Sequence, residues 1–129
     1  MVATVLSSSE AAEFLETVAP YNGLPADRLK ALADTVSTHS YSSGEFVYRA
    51  DAPLDGIHII FSGTIDINDR NGKHVSQLGK RQSFGERGLL RDGKASTNAR
   101  AKVDTVTVLV PTATLQQLIH QFPAVANYF

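Results

Sequence analysis

Ser83-Phe84-Gly85-Glu86-Arg87-Gly88-Leu89-Leu90-Arg91-Asp92-Gly93-Lys94-Ala95-Ser96-Thr97 is the stretch on which the fold turns. It reads as a strand end, a tight turn, one short helical turn, a second turn and a new strand. Gly85 and Gly88 let backbone N–H groups approach a ligand that a Cβ would keep away. A short helix opening near Glu86 presents unpaired N–H groups and a positive dipole end, which suits a phosphate. Glu86 is the only acid before Asp92 here, so it is available to accept hydrogen bonds from hydroxyl groups. Lys94 follows at the far end, with Ala95 and Ser96 offering two more backbone donors. A loop that grips an anion at one end and a diol at the other suits a sugar phosphate.

Charge is concentrated around this stretch. The chain as a whole has a net charge of −1. Between Lys80 and Lys102, however, Lys80, Arg81, Arg87, Arg91, Lys94, Arg100 and Lys102 stand against only Glu86 and Asp92. A basic region around a glycine-rich turn favours a small anion. A nucleic-acid surface is the rival reading, but neither a recognition helix nor stacking aromatics is visible nearby, so nucleic acid is not expected as a partner. A solvated, unliganded loop face is the plain alternative.

The rest of the chain supplies the frame. With 129 residues, 43% of them hydrophobic, it forms one globular domain able to bury its own core. There is no cysteine, which removes disulfides and thiolate chemistry and fits a reducing compartment. No apolar run approaches the ~20 residues of a membrane span, and Met1–Leu6 lacks the basic start of a signal peptide. A cytoplasmic location without membrane contact is therefore expected.

Residues 7–19 are predicted helical, with Ser7 and Glu10 at capping-box spacing and Ala11, Phe14, Leu15 and Val18 on one face. Pro20 to Gly23 break that helix, and Pro25 opens a second with Leu29, Leu32, Ala33 and Val36 as its apolar stripe. From Thr38 the period changes to two. Strands are predicted at 39–41, 45–48, 57–61, 64–67, 74–78, 97–103 and 105–110, with Asn71-Gly72 the strongest hairpin turn. Short strands joined by turns at this spacing imply a small antiparallel barrel or jelly roll. Leu115, Leu118, Ile119 and Phe122 mark a helix after Pro111, and Pro123 ends it before a further short helical segment.

Taken together, Phe84-Gly85-Glu86, Leu89-Leu90 and Lys94-Ala95-Ser96-Thr97 resemble the phosphate-binding cassette of cyclic nucleotide-binding domains, the sensory domains of the catabolite-activator type. The turns at Tyr41–Glu45 and Asp55–Gly63 and the final helix come in that family's order. The resemblance implies a mainly β fold, a double-stranded β-helix or jelly-roll barrel of about eight strands with short N- and C-terminal helices. Within one domain it places the N-terminal helices at 1–37, the barrel at 38–110 with the cassette at 83–97, and the C-terminal helix at 111–129.

It further implies a ligand site of Phe84, Gly85, Glu86, Arg87, Gly88, Leu89, Lys94, Ala95 and Ser96. Glu86 holds the ribose 2′-hydroxyl there. Lys94 stands where the family has its phosphate-holding arginine, with a connecting turn about one residue short. Ala95, lacking a hydroxyl beside that cation, favours cyclic AMP over cyclic GMP. The family's closing helix is absent or incomplete, so the chain looks like part of a longer, bacterial signalling protein. Its style is similar to proteins that join this domain to CBS pairs and a nucleotidyltransferase-like domain. Further domains of that longer chain are the expected partners, and a homodimer is compatible with the sequence.

No enzymatic constellation emerges. His39, His58, His74 and His120 show no metal-ligand spacing, and Asp51, Asp55, Asp66 and Asp69 fall at turns. Neither a cofactor nor a metal is expected. Two functions stay open: a regulatory domain that senses a cyclic nucleotide, and a structural or protein-interaction domain that has kept the fold and lost the ligand.

Overall fold

The computed structural model describes residues 5–129. Ser7 caps the first helix, α1 (Ser8–Leu15): its hydroxyl accepts from the Glu10 N–H while the Glu10 carboxylate accepts from the Ser7 N–H. α1 is shorter than the 7–19 periodicity predicts. The Thr17 and Val18 N–H groups bond back only three residues, and the chain has left the α-helix before Pro20. A 3₁₀ turn at Tyr21–Gly23 leads to α2 (Ala26–Ala33), with Pro25 just ahead of its first turn.

The strands are β1 (Ser37–Tyr41), β2 (Phe46–Tyr48), β3 (Gly56–Ser62), β4 (Ile65–Asn68), β5 (His74–Leu78) and β6 (Ser83–Phe84). The helical turn α3 (Glu86–Arg91) comes next, then β7 (Asn98–Ala101) and β8 (Thr105–Pro111). The chain continues through α4 (Thr112–Gln121) and α5 (Pro123–Tyr128), the latter started by the proline that cannot continue α4. β7 is shorter than the predicted 97–103 strand because Ser43 reaches across to the Lys102 carbonyl and the Asp104 carboxylate, turning the chain there.

Among the described residues the eight strands form two antiparallel sheets, ordered β1-β8-β3-β6 and β2-β7-β4-β5. This is the mainly β jelly-roll architecture expected from the strand spacing. The central pair, β3 and β8, runs in register from Gly56↔Pro111 to Ile60↔Thr107. β3 is buried on both faces, so it reads as an unbroken apolar run. Ile57 and Ile59 face the helices with Phe14, Leu15, Leu29, Leu32, Val108, Val110, Leu115 and Leu118. Ile60 faces the barrel interior with Ile65, Ile67, Phe84, Ala99 and Ala101. The helices thus close one side of the sheet, and the second core holds the two sheets together. No helix among the described residues is long and apolar enough to cross a membrane.

Candidate functional site

The site is built where the smaller core meets α3. β6 pairs with β3 at His58↔Phe84, and the Phe84 ring stacks on His58 with centroids 5.1 Å apart and planes 11° apart. His58 is itself fixed by Thr107, whose Oγ1 lies 2.9 Å from its Nδ1. Burial, and to a lesser extent the nearby His39, lowers the His58 pKa to about 4, so the imidazole is neutral. Phe84 is therefore a rigid floor beneath the start of α3. The chain then turns through Gly85, whose φ of +95° is the left-handed region that a Cβ disfavours, and enters α3 at Glu86.

Gly88 has a different role from the one read in the sequence. A Cβ there would collide with the Lys94 carbonyl oxygen and sit 3.2 Å from the Ala95 Cα. Glycine at this place lets α3 lie directly on the Lys94–Ala95 backbone, rather than opening the backbone to a ligand. The same segment is tied down from the other side. The Ala95 N–H donates to the Ala52 carbonyl at 2.8 Å and its own carbonyl accepts from the Asp51 N–H at 2.7 Å. Pro53 and Lys94 form an antiparallel bridge, and the Lys94 N–H donates to the Asp92 carboxylate at 3.1 Å. Of the two backbone donors, Ala95 and Ser96, offered to a phosphate, that of Ala95 is thus used within the fold.

These elements enclose a cleft of about 220 Å³. Its lining includes Tyr48 of β2, Leu54, Ile67 of β4, Val75, Ser76 and Leu78 of β5, and Ser83 of β6, beside the cassette residues Phe84 to Gly88 and Ala95 to Thr97. Two of the lining residues are charged, Glu86 and Arg87. The Glu86 Oε2 is buried and has no hydrogen-bond partner. An unsatisfied buried acceptor of this kind costs about 1–3 kcal/mol, more when charged, and a ligand hydroxyl would relieve it. Burial first, then the Glu86 charge, pushes the Tyr48 phenol above its usual range, against the smaller opposing effect of a hydrogen bond with Thr97. Tyr48 therefore stays protonated and able to donate. Tyr21, buried with its hydroxyl unpartnered, is raised by burial, by Tyr128 and by Glu86 in the same way.

Of the residues the sequence singled out, Phe84, Gly85, Glu86, Arg87, Gly88, Ala95 and Ser96 come together on this cleft. Leu89 does not; it packs against the helical core. Lys94 is not among the lining residues either; it is exposed, and its backbone bridges to Pro53. The neighbouring place that looks into the cleft carries the methyl group of Ala95, which is 3% exposed. Glu86 and Arg87 both border this cleft and a second one lined by Leu90, Arg91, Tyr128 and Phe129.

Sequence reasoning missed Tyr48, Leu54, Ile67, Val75, Ser76, Leu78, Ser83 and Thr97. Most are brought in by strand pairing from distant parts of the chain. Val75 is an apolar residue left 57% exposed on β5. Among the described residues no cluster of His, Asp or Glu is arranged to hold a metal ion.

Comparison with known proteins agrees with this architecture. The human cGMP-dependent protein kinase 2 is 26% identical over 121 residues, covering 89% of this chain and 16% of the kinase. The regulatory subunit of a cAMP-independent protein kinase A from Trypanosoma cruzi, solved bound to guanosine, superposes with a TM-score of 0.80 at 19% identity. That match covers 94% of this chain and 44% of the other. The regulatory domain of Toxoplasma gondii PKA with cAMP gives a TM-score of 0.80 at 18% identity, covering 95% of this chain and 50% of that one. At these identities the two structures establish likeness of fold. The chain spans 14% to 16% of the length of the first curated relatives it matches. The sequence profile of the cyclic nucleotide-binding domain matches residues 38–122, from the first strand to the end of α4. With that match over about two-thirds of its length, and with the cassette built on the jelly roll, this chain belongs to the cyclic nucleotide-binding domain family.

Proposed function

We propose that this chain is a regulatory, ligand-sensing domain whose cleft receives the ribose of a cyclic nucleotide or of the nucleoside it contains. The observation that carries the reading is the buried, unpartnered Glu86 Oε2 in a cleft otherwise rich in hydroxyls and apolar side chains. A carboxylate placed in this way accepts from the 2′-hydroxyl. Leu54, Ile67, Val75 and Leu78 provide apolar surface for the base, and Tyr48, Ser96 and Thr97 provide further polar contacts. Occupancy would act on Glu86, and through α3 on the Tyr128–Phe129 end that borders the second cleft. Output then belongs to further domains of a longer chain, for which a bacterial signalling protein with CBS and nucleotidyltransferase-like domains is our reading of the sequence style. We place it in the cytoplasm.

The preference for cyclic AMP rested on Ala95 standing beside the cation. With Ala95 itself on the cleft and Ser96 and Thr97 next to it, hydroxyls are within the lining, and that ground for choosing adenine over guanine falls away. Relatives are divided in the same sense, one named for cGMP and another solved with cAMP. The second reading, a domain that has lost its ligand, is favoured by one observation: Lys94 stands outside the cleft. Titration of Glu86→Gln against wild type separates the two. A ligand held by Glu86 should lose roughly 1.5–3 kcal/mol of binding in the variant, the worth of a hydrogen bond to a charged group. Equal affinities would mean that Glu86 does not hold the sugar.

A further inference from the structure

We infer that the cleft is selective for an uncharged ribonucleoside over its 3′,5′-cyclic phosphate; this rests on the ligand-sensing reading and names the chemical class that the site takes. The lining carries one carboxylate, Glu86, whose Oε2 is buried and without a partner. Around it stand the uncharged polar side chains of Tyr48, Ser76, Ser83, Ser96 and Thr97. Such a surface matches hydroxyl groups. A nucleoside brings three of them, at 2′, 3′ and 5′, whereas a 3′,5′-cyclic nucleotide brings one and replaces the other two with an anionic diester. In the cleft that diester would share a low-dielectric space with the Glu86 carboxylate, and repulsion between like charges is strongest where water is excluded.

Compensating positive charge is poorly placed. Lys94 is absent from the lining. The Lys94 and Ala95 amide donors are taken by Asp92 and Ala52. Arg91 is exposed and lies 3.9 Å from Asp92. Arg87, the one cation among the lining residues, is exposed, and water weakens its field, whereas the neighbouring Glu86 keeps one buried carboxylate oxygen. The residue on the cleft wall where a cation would face a ligand is Ala95.

The test is calorimetric titration of the whole chain with adenosine, guanosine, cyclic AMP, cyclic GMP and 2′-deoxyadenosine. At least one ribonucleoside should bind roughly tenfold or more tighter than its cyclic phosphate, the factor that corresponds to about 1.4 kcal/mol. 2′-Deoxyadenosine should bind more weakly than adenosine. Ala95→Arg should reverse the order, strengthening the cyclic nucleotide relative to the nucleoside, while Lys94→Ala leaves the wild-type order in place. The wild-type titrations decide the matter even if Ala95→Arg fails to fold. Cyclic nucleotide binding as tight as nucleoside binding, or tighter, overturns this inference and leaves the ligand-sensing reading intact. No heat from any of the compounds overturns both.

Discussion

Gly88→Ala tests how tightly α3 is seated. The glycine is buried, and its added Cβ would meet the Lys94 carbonyl oxygen, the Lys94 carbonyl carbon at 3.0 Å and the Ala95 Cα at 3.2 Å. All three are backbone atoms, so no side-chain rotation relieves the contact. The backbone they belong to is held by the Ala52, Asp51 and Leu54 hydrogen bonds, which leaves α3 as the part that must move. Overpacking of this kind costs about 1–3 kcal/mol. Alanine recovers about 1 kcal/mol of helix propensity relative to glycine. Because the clash is with fixed backbone the upper part of the range applies, and the net loss should be about 2 kcal/mol. That corresponds to a melting point lower by roughly 5–10 °C for a domain of this size. Urea unfolding followed by far-UV circular dichroism measures it; the chain has no tryptophan to follow by fluorescence. Ligand affinity should fall with it, since Glu86 moves with α3. A midpoint equal to wild type would mean that α3 does not rest on Lys94–Ala95, and the account of the cleft wall would fall with it.

Three further outcomes are expected from the packing. Phe84→Ala removes a ring 3% exposed that stacks on His58, and should cost about 3–5 kcal/mol in the same unfolding assay. Ser7→Ala breaks the reciprocal cap of α1 and should cost about 1 kcal/mol, with no change at the cleft. His58 gives a pH dependence: its folded pKa of about 4 lies below the usual 6.5, so the unfolded chain binds the extra proton. Stability is then complete above the unfolded value and declines as pH falls from 6.5 towards 4, by at most about 1.4 kcal/mol per pH unit. His58→Gln should flatten that window when unfolding midpoints are compared across it.

The fold was legible because its signals are local. The Ser7–Glu10 cap, the Asn71-Gly72 turn and the change of period at Thr38 each depend on a few adjacent residues, and each appears in the structure. Phe84, Gly85 and Glu86 lie together for the same reason: one strand end and one turn carry them. The facing of Lys94 is decided elsewhere, by the bridge to Pro53, the bond Ala52 accepts from Ala95 and the bond Leu54 donates to Gly93. Those pairings join distant segments of the chain, and a shift of one place exchanges the side chain on the cleft for its neighbour. Tyr48, Ile67 and Leu78 were invisible on similar grounds, since strand pairing alone brings them to one cleft. The end of α1 depends on Pro20, but where the helix gives way ahead of that proline is set by tertiary packing around Val18 and Tyr21.

The central claim, that Glu86 in this cleft holds the ribose of a small ligand, is tested most directly by nitrogen–proton correlation spectra. The chain would be titrated with adenosine and guanosine, and with their cyclic phosphates. The account expects the amide signals of Gly85, Glu86, Arg87, Ser96 and Thr97 to move together and saturate, and to stay still in Glu86→Gln at the same concentrations. Shifts confined to the groove of Arg28, Gln117 and Gln121, or an unchanged response in Glu86→Gln, would contradict it.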